Sequence, residues 1–298
     1  MRKHHYLILL IIITACHTAH VNPSFAPLDK TFDKEGHRGC RGLMPENTIA
    51  AYLKAIDIGV NTLEMDAVIT ADSQVVTSHE PFFNHNITTK PDGQVVTAEE
   101  EKSLNLYHMT YQEISRYDVG IKPNPNFPQQ QKQPAIKPLL TAVIDSVEAY
   151  AATHHKQPLM YNIETKCSPE GDNIYHPMPG KFVDILMKVI LSKKIEDRVI
   201  IQSFDPRSLQ YLHEHYPAIK TALLVSGSDK TFAVYLKDLG FIPTIYSPEH
   251  ALVTPLLVKQ CHDAGIKIIP WTVNDAARIK TLQTLGVDGI ISDYPNLF

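Results

Sequence analysis

What most limits the fold of this chain is an alternation. Short runs rich in β-branched residues recur, and longer stretches with helical periodicity separate most of them. Eight runs read as strands: EGHRG (35–39), TLEMDAVI (62–69), LMYNIETK (159–166), RVIIQSF (198–204), KTALLV (220–225), TIYSP (244–248), KIIPWTV (267–273) and DGIIS (288–292). Strand and helix in alternation is the pattern of βα units on a parallel sheet. Eight strands joined this way predict an α/β fold closed into a (β/α)8 TIM barrel. A doubly wound α/β sheet is the runner-up, but it would bring a Gly-rich nucleotide loop that this sequence lacks. The clearest helix is NTIAAYLKAIDIG (47–59), where Ile49, Leu53 and Ile56 share one face, Asn47 is the expected N-cap and Gly59 the stop.

Two features depart from an ideal barrel. The second strand runs on into a hairpin, VITADSQVVTSHE, turning at Asp72-Ser73, and an insertion over residues 80–138 precedes the third barrel strand. That insertion is rich in Asn, Gln and Pro, and so long a connection usually serves as a lid or small subdomain. The sequence ends just past the last strand, so the eighth helix is expected to be absent or minimal. One barrel domain over 31–298 accounts for the length.

The first sixteen residues are not expected to join the fold. Arg2 and Lys3 precede an apolar run from Tyr6 to Ile13, and Thr14-Ala15-Cys16 closes it. The run is too short for a bilayer, which needs ~20 residues, and fits a signal-peptide core. ITAC resembles a bacterial lipobox, so Cys16 is the expected lipid attachment and residues 17–30 the tether. The protein is then exported and anchored to a bacterial membrane, facing the periplasm or cell surface. Export makes a disulfide possible, and a Cys40–Cys167 bridge is one expectation, while Cys261 reads as core. With 28 basic against 32 acidic residues there is no basic excess of the kind a general nucleic-acid binder carries.

Strand side chains alternate between faces, so in TLEMD Leu63 and Met65 point one way and Glu64 and Asp66 the other. NIETK repeats the arrangement with Glu164 and Lys166. Both strands then aim carboxylates into the barrel near their C-terminal ends, where such barrels keep their sites. Three carboxylates in one confined space repel each other, and a divalent cation resolves this. All-oxygen ligands favour Ca2+ or Mg2+ over Zn2+. The plainer alternative is a structural salt-bridge cluster with Arg38 and Lys166. His37 ends the first strand and His79 ends the hairpin; two such histidines suit acid–base work, or one serves as a metal ligand. Arg38 and Lys166 suit binding of phosphoryl oxygens. Gln202 is placed to hydrogen-bond the substrate or a metal-bound water, and Trp271 reads equally as core or as pocket wall. Asp293, in ISDYP, reads as a site residue or a cap, the cap being preferred.

The residues just quoted resemble a known family. HRG, then PENT, then Glu-x-Asp with a turn and a histidine after it, then Glu-x-Lys and QSF, is similar to the glycerophosphodiester phosphodiesterases of the PLC-like phosphodiesterase superfamily, over nearly the whole chain after residue 30. The resemblance implies a metal on Glu64, Asp66 and Glu164, His37 and His79 as the acid–base pair, and phosphate on Arg38 and Lys166. It implies hydrolysis of small glycerophosphodiesters to sn-glycerol 3-phosphate and an alcohol, by water or through attack of the glycerol 2-hydroxyl. Three positions differ from the usual pattern: Ser73 replaces a turn glycine, Glu80 an aspartate, and Cys40 a small residue.

Three other functions compete. The same barrel supports phospholipase D- or C-like cleavage of lysolipids, which an apolar insertion would favour; this one is mostly polar. Enolate chemistry takes its acids from successive strands, whereas two of these share one strand. A surface lipoprotein that only binds phosphodiesters would be expected to have lost a histidine or carboxylate, and all are present.

Overall fold

The computed structural model describes residues 31–227 and 229–298. The expected signal peptide, lipobox cysteine and tether lie outside the described residues. The order is β1 Asp33–Gly36, α1 Ile49–Ile58, β2 Thr62–Ile69, β3 Val75–Thr77, α2 Tyr111–Ile114, α3 Leu140–Thr153, β4 Met160–Thr165, α4 Pro179–Lys193, β5 Val199–Ser203, α5 Pro206–His215, β6 Lys220–Val225, α6 Phe232–Leu239, β7 Ile245–Pro248, α7 Pro255–Asp263, β8 Lys267–Ile268, α8 Ala276–Leu285 and β9 Gly289–Ser292.

Eight strands lie in the order β8-β7-β6-β5-β4-β2-β1-β9, with β3 added to β2. Every pairing along that path is parallel, and only β2 with β3 is antiparallel. Between β8 and β9 the ring is nearly closed by backbone hydrogen bonds, Asp288 N to Ile268 O at 2.9 Å and Ile291 N to Pro270 O at 3.0 Å. Pro270 has no N–H to give, which shortens β8 to two residues while its carbonyl still accepts. This is the expected (β/α)8 barrel. After β9 a single 3-10 turn at Pro295–Leu297 follows.

Alternation sorts the strand side chains. Leu63, Met65, Tyr161, Ile163 and Ile201 join the large apolar cluster shared with the helices. Ile200, Ala222, Ile245, Ile269 and Ile291 form a smaller one that plugs the barrel interior, with Trp271 packed on it. Burial of this kind contributes on the order of 25 cal/mol per Å2 of apolar surface.

Helix α1 is capped by Thr48 and not by the expected Asn47; Thr48 accepts from Ala51 N, and Gly59 ends the helix at φ 99°. The buried face is Ala51, Tyr52, Ala55 and Ile56, with Ile49 and Leu53 only half-buried. The proposed Cys40–Cys167 bridge is also absent: both thiols are free and buried, and Cys40 Sγ donates to Ala51 O at 3.3 Å.

The hairpin turns where expected, with Ser73 at φ 58°. Thr70 Oγ1 holds the turn by donating to Asp72 Oδ1 at 2.6 Å and accepting from Gln74 N at 2.9 Å. The insertion packs on the hairpin through its own apolar cluster, in which Phe83, Ile87, Leu106, Ile114 and Val119 meet Val68 and Val76. Some of its polar residues, Asn84, Asn86 and Asn124 among them, line a cavity beside His79.

Candidate active site

Strand β1 ends at Gly36, and the chain turns at once. A Cβ on Gly36 would sit 2.1 Å from Gly39 O, and one on Gly39, at φ 85°, would sit 2.6 Å from Ala51 C. Only glycines allow this approach to α1, and the turn presents His37 and Arg38 at the C-terminal mouth of the barrel. Arg38 itself takes φ 49°, an unfavourable value for a side-chain-bearing residue that aims its N–H at Glu64 Oε2, 2.8 Å away.

Glu64, Asp66 and Glu164 offer one carboxylate oxygen each, all within 4.8 Å of one another, and all three residues are buried. Gln202 Nε2 donates to Glu64 Oε1 at 2.8 Å, and Lys166 Nζ to Glu164 Oε1 at 2.8 Å. Asn47 Nδ2 donates to Asp66 Oδ2 at 2.8 Å. Burial and the neighbouring Asp66 push Glu64 well above its usual range, and burial raises Glu164. Burial also opposes ionisation of Asp66, but Arg38 and Lys166 win and hold it well below. Three acids cannot all keep their charge here with two cations alone. Asp66 Oδ1 is buried with no hydrogen-bond partner, and Lys166 Nζ stands 3.6 Å from it. An all-oxygen donor set with an orphaned lone pair fits a hard divalent cation.

His37 Nδ1 lies 2.6 Å from Asp293 Oδ1, and its Nε2 lies 3.9 Å from Glu64 Oε2. Arg41 Nε and Asn274 Nδ2 also donate to Asp293, at 2.9 and 2.7 Å. Burial pushes His37 down to about 4, against the pull of Asp293. Burial opposes the charge on Asp293, yet His37 and Arg41 hold it well below the usual carboxylate range. Across the mouth, His79 Nδ1 lies 2.8 Å from Glu80 Oε1. Against burial, His79 keeps Glu80 down at about 2. A cavity of about 130 Å3 opens beside His79 and Arg38, and Asn84, Asn86 and Asn124 of the insertion line it.

The seven residues His37, Arg38, Glu64, Asp66, Glu164, Lys166 and Gln202 therefore come together, with His79 at the rim. Trp271 stands apart, at the end of β8, edge-on to Phe204 with centroids 5.4 Å apart. The expectation that Asp293 is a cap is corrected. Tyr294 holds the N-cap position of the last turn without a side-chain bond, and Asp293 faces His37 instead. Asn47 is likewise drawn from its expected cap into the site. Glu46 accepts from Arg38 NH1 at 2.9 Å and was not singled out. Lys137, buried, donates its Nζ to Ser78 Oγ at 2.6 Å beside the His79 turn. Glu46 and Asn47 were within reach of the PENT motif, whereas Lys137 carries no sequence signal.

Residues 37–297 match the model of the glycerophosphoryl diester phosphodiesterase family. A glycerophosphodiester phosphodiesterase from Bacillus altitudinis is 30% identical over 263 residues, covering 87% of this chain and 94% of that protein. A Silicibacter pomeroyi DSS-3 crystal structure assigned to the glycerophosphoryl diester phosphodiesterases superposes with TM-score 0.80 at 28% identity, covering 90% of this chain and 91% of that one. An Oleispira antarctica phosphodiesterase, solved with the product sn-glycerol-3-phosphate, shares the fold with TM-score 0.70 at 21% identity, covering 89% and 94%.

Proposed function

The chain belongs to the glycerophosphoryl diester phosphodiesterase family and is an enzyme of that class, and from that premise we propose how its site works. The proposed reaction is metal-dependent hydrolysis of a small glycerophosphodiester to sn-glycerol 3-phosphate and an alcohol. The observation that carries it is three converging carboxylates flanked by two histidines, each with its own carboxylate partner.

Glu64, Asp66 and Glu164 would hold one Ca2+ or Mg2+ ion, which would draw off negative charge as it builds on the phosphoryl oxygens. Asp293 accepts the Nδ1 proton of His37, so the Nε2 lone pair faces the cluster. Neutral by virtue of its burial, His37 can take the proton of the attacking oxygen, whether of water or of the glycerol 2-hydroxyl. His79, held by the 2.8 Å contact of its Nδ1 with Glu80 Oε1, can donate a proton to the leaving alcohol. Arg38 and Lys166 steady the phosphoryl oxygens, and Gln202 fixes the Glu64 carboxylate. The asparagine-lined cavity suits a hydroxylated arm and favours water-soluble diesters over lysolipids. Phosphorus NMR of a glycerophosphocholine digest tests the product assignment. Glycerol 3-phosphate is expected, while accumulation of phosphocholine would contradict it.

We also propose export and anchoring through Cys16, on the basic start, short apolar run and ITAC motif. Cys16→Ser is expected to move the protein out of the membrane fraction; unchanged partitioning would refute the anchor.

A further inference from the structure

The barrel mouth has two unlike halves. The ends of β1, β2, β4 and β9 carry His37, the three carboxylates, Lys166 and Asp293. The ends of β5 and β8 carry aromatic rings instead. Gln202 points inward to Glu64. Two residues on, ~7 Å further along the strand, Phe204 has the same parity. Trp271 has the parity of Ile269 in the barrel interior and packs on that cluster. The two rings meet edge to face, at 5.4 Å and 89°. Trp271 Nε1 donates to Ser247 O at 2.8 Å, which fixes its plane. Phe204 is 42% exposed, a large apolar ring left open beside a charged site. Glu249 pairs in parallel with Trp271, so its side chain stands on the same face. Glu249 is half-buried, and its carboxylate makes no hydrogen bond or ion pair with the other described residues, although its charge is felt by the adjacent His250.

Two perpendicular rings with one unpaired carboxylate are a poor host for a polyol and a good one for a soft cation. A quaternary ammonium has no N–H to satisfy, sheds water readily and binds aromatic faces. The hydroxylated glycerol arm has its own place in the asparagine-lined cavity on the opposite side.

We propose that Phe204, Trp271 and Glu249 form the subsite for the leaving alcohol and that it takes a quaternary-ammonium head group, choline being the simplest. The inference rests on the phosphodiesterase reading and makes it specific for the head group. Phe204 and Trp271 determine specificity and take no part in proton transfer.

Trp271 is the only tryptophan in the chain, so its fluorescence reads the subsite without turnover. Choline should change that emission saturably, and its uncharged isostere 3,3-dimethylbutan-1-ol should bind at least ~5-fold more weakly. Phe204→Ala and Glu249→Gln should each weaken choline binding by ~5–10-fold, within the range of a cation–π contact. In the metal-loaded enzyme, Phe204→Ala should cut kcat/KM for glycerophosphocholine by ~10-fold and for glycerophosphoglycerol by less than ~2-fold. Trp271→Phe keeps a ring in place and should retain the choline preference in part; thermal melts of all variants exclude unfolding. Equal binding of the neutral isostere, no response to choline, or equal loss on both substrates would overturn the subsite. A choline response in a protein that cleaves no diester would leave the subsite standing and sink the reaction. Cleavage without a choline response would do the reverse.

Discussion

His37 and Asp293 come from opposite ends of the chain, and their meeting organises the proposed chemistry. A 2.6 Å contact with a fully ionised partner fixes which imidazole nitrogen holds the proton. Asp293→Asn should preserve the fold but lose that preference, and kcat should fall about 100-fold or more. Steady-state kinetics check this, and an unchanged kcat would remove Asp293 from the mechanism. The same burial has a stability consequence. The folded-state pKa of His37 is depressed to about 4, from an ordinary 6.5. The unfolded chain therefore binds the extra proton first, and stability present above about pH 6.5 is lost as pH falls toward 4. His37→Gln cannot take up that proton. Its urea-derived stability should fall less steeply over this window, by up to about 1.4 kcal/mol per pH unit. An identical slope would mean that His37 is not held neutral. At this scale the convergence of the three carboxylates and His37 was legible, because strand parity and residue type point to the same face. Asp293 was legible by parity too, two residues after the inward Ile291, but its place before a terminal turn suggested a cap. The partner that decides between the two readings lies 256 positions away.

Among the elements, the hairpin and α1 show how local rules are overridden. Ser73 sits at φ 58° where glycine would be unstrained. The side-chain bonds of Thr70 and Asp72 hold the turn regardless. Ser73→Gly should therefore raise stability modestly, by about 0.5 kcal/mol after the entropy cost of glycine. Thermal denaturation measures it, and a loss of similar size would show that the left-handed turn is not the strained feature. In α1, Asn47 is a good N-cap by type, yet Thr48 does the capping. Asn47 turns to φ 54°, which asparagine tolerates, so that its amide reaches Asp66 and its Oδ1 accepts from Tyr52 OH at 2.8 Å. A propensity rule names the residue type but not which of two adjacent candidates a buried carboxylate will recruit.

For the molecule as a whole, all eight barrel strands were legible as short runs: β2 and β6 keep their expected bounds, β4, β5, β7 and β9 lose one residue at one or both ends, and β1 begins two residues earlier and ends three earlier. The strand around Lys267 shrank most, because Pro270 interrupts it. What sequence periodicity could not convey was how the insertion folds. It is polar by composition, yet Phe83 and Tyr117 stack within it at 4.1 Å and its apolar residues close on the hairpin. Only the packed arrangement separates that buried cluster from the asparagines turned toward the mouth. Metal-dependent cleavage at the three-carboxylate site is the claim on which the rest depends, and one assay addresses it. The purified chain is stripped with chelator and assayed for glycerol 3-phosphate release from glycerophosphocholine without metal, with Mg2+ and with Ca2+, beside His37→Ala. Release that requires a divalent cation and falls at least ~100-fold in His37→Ala is expected. Release undiminished by chelation, or undiminished in His37→Ala, would contradict the account.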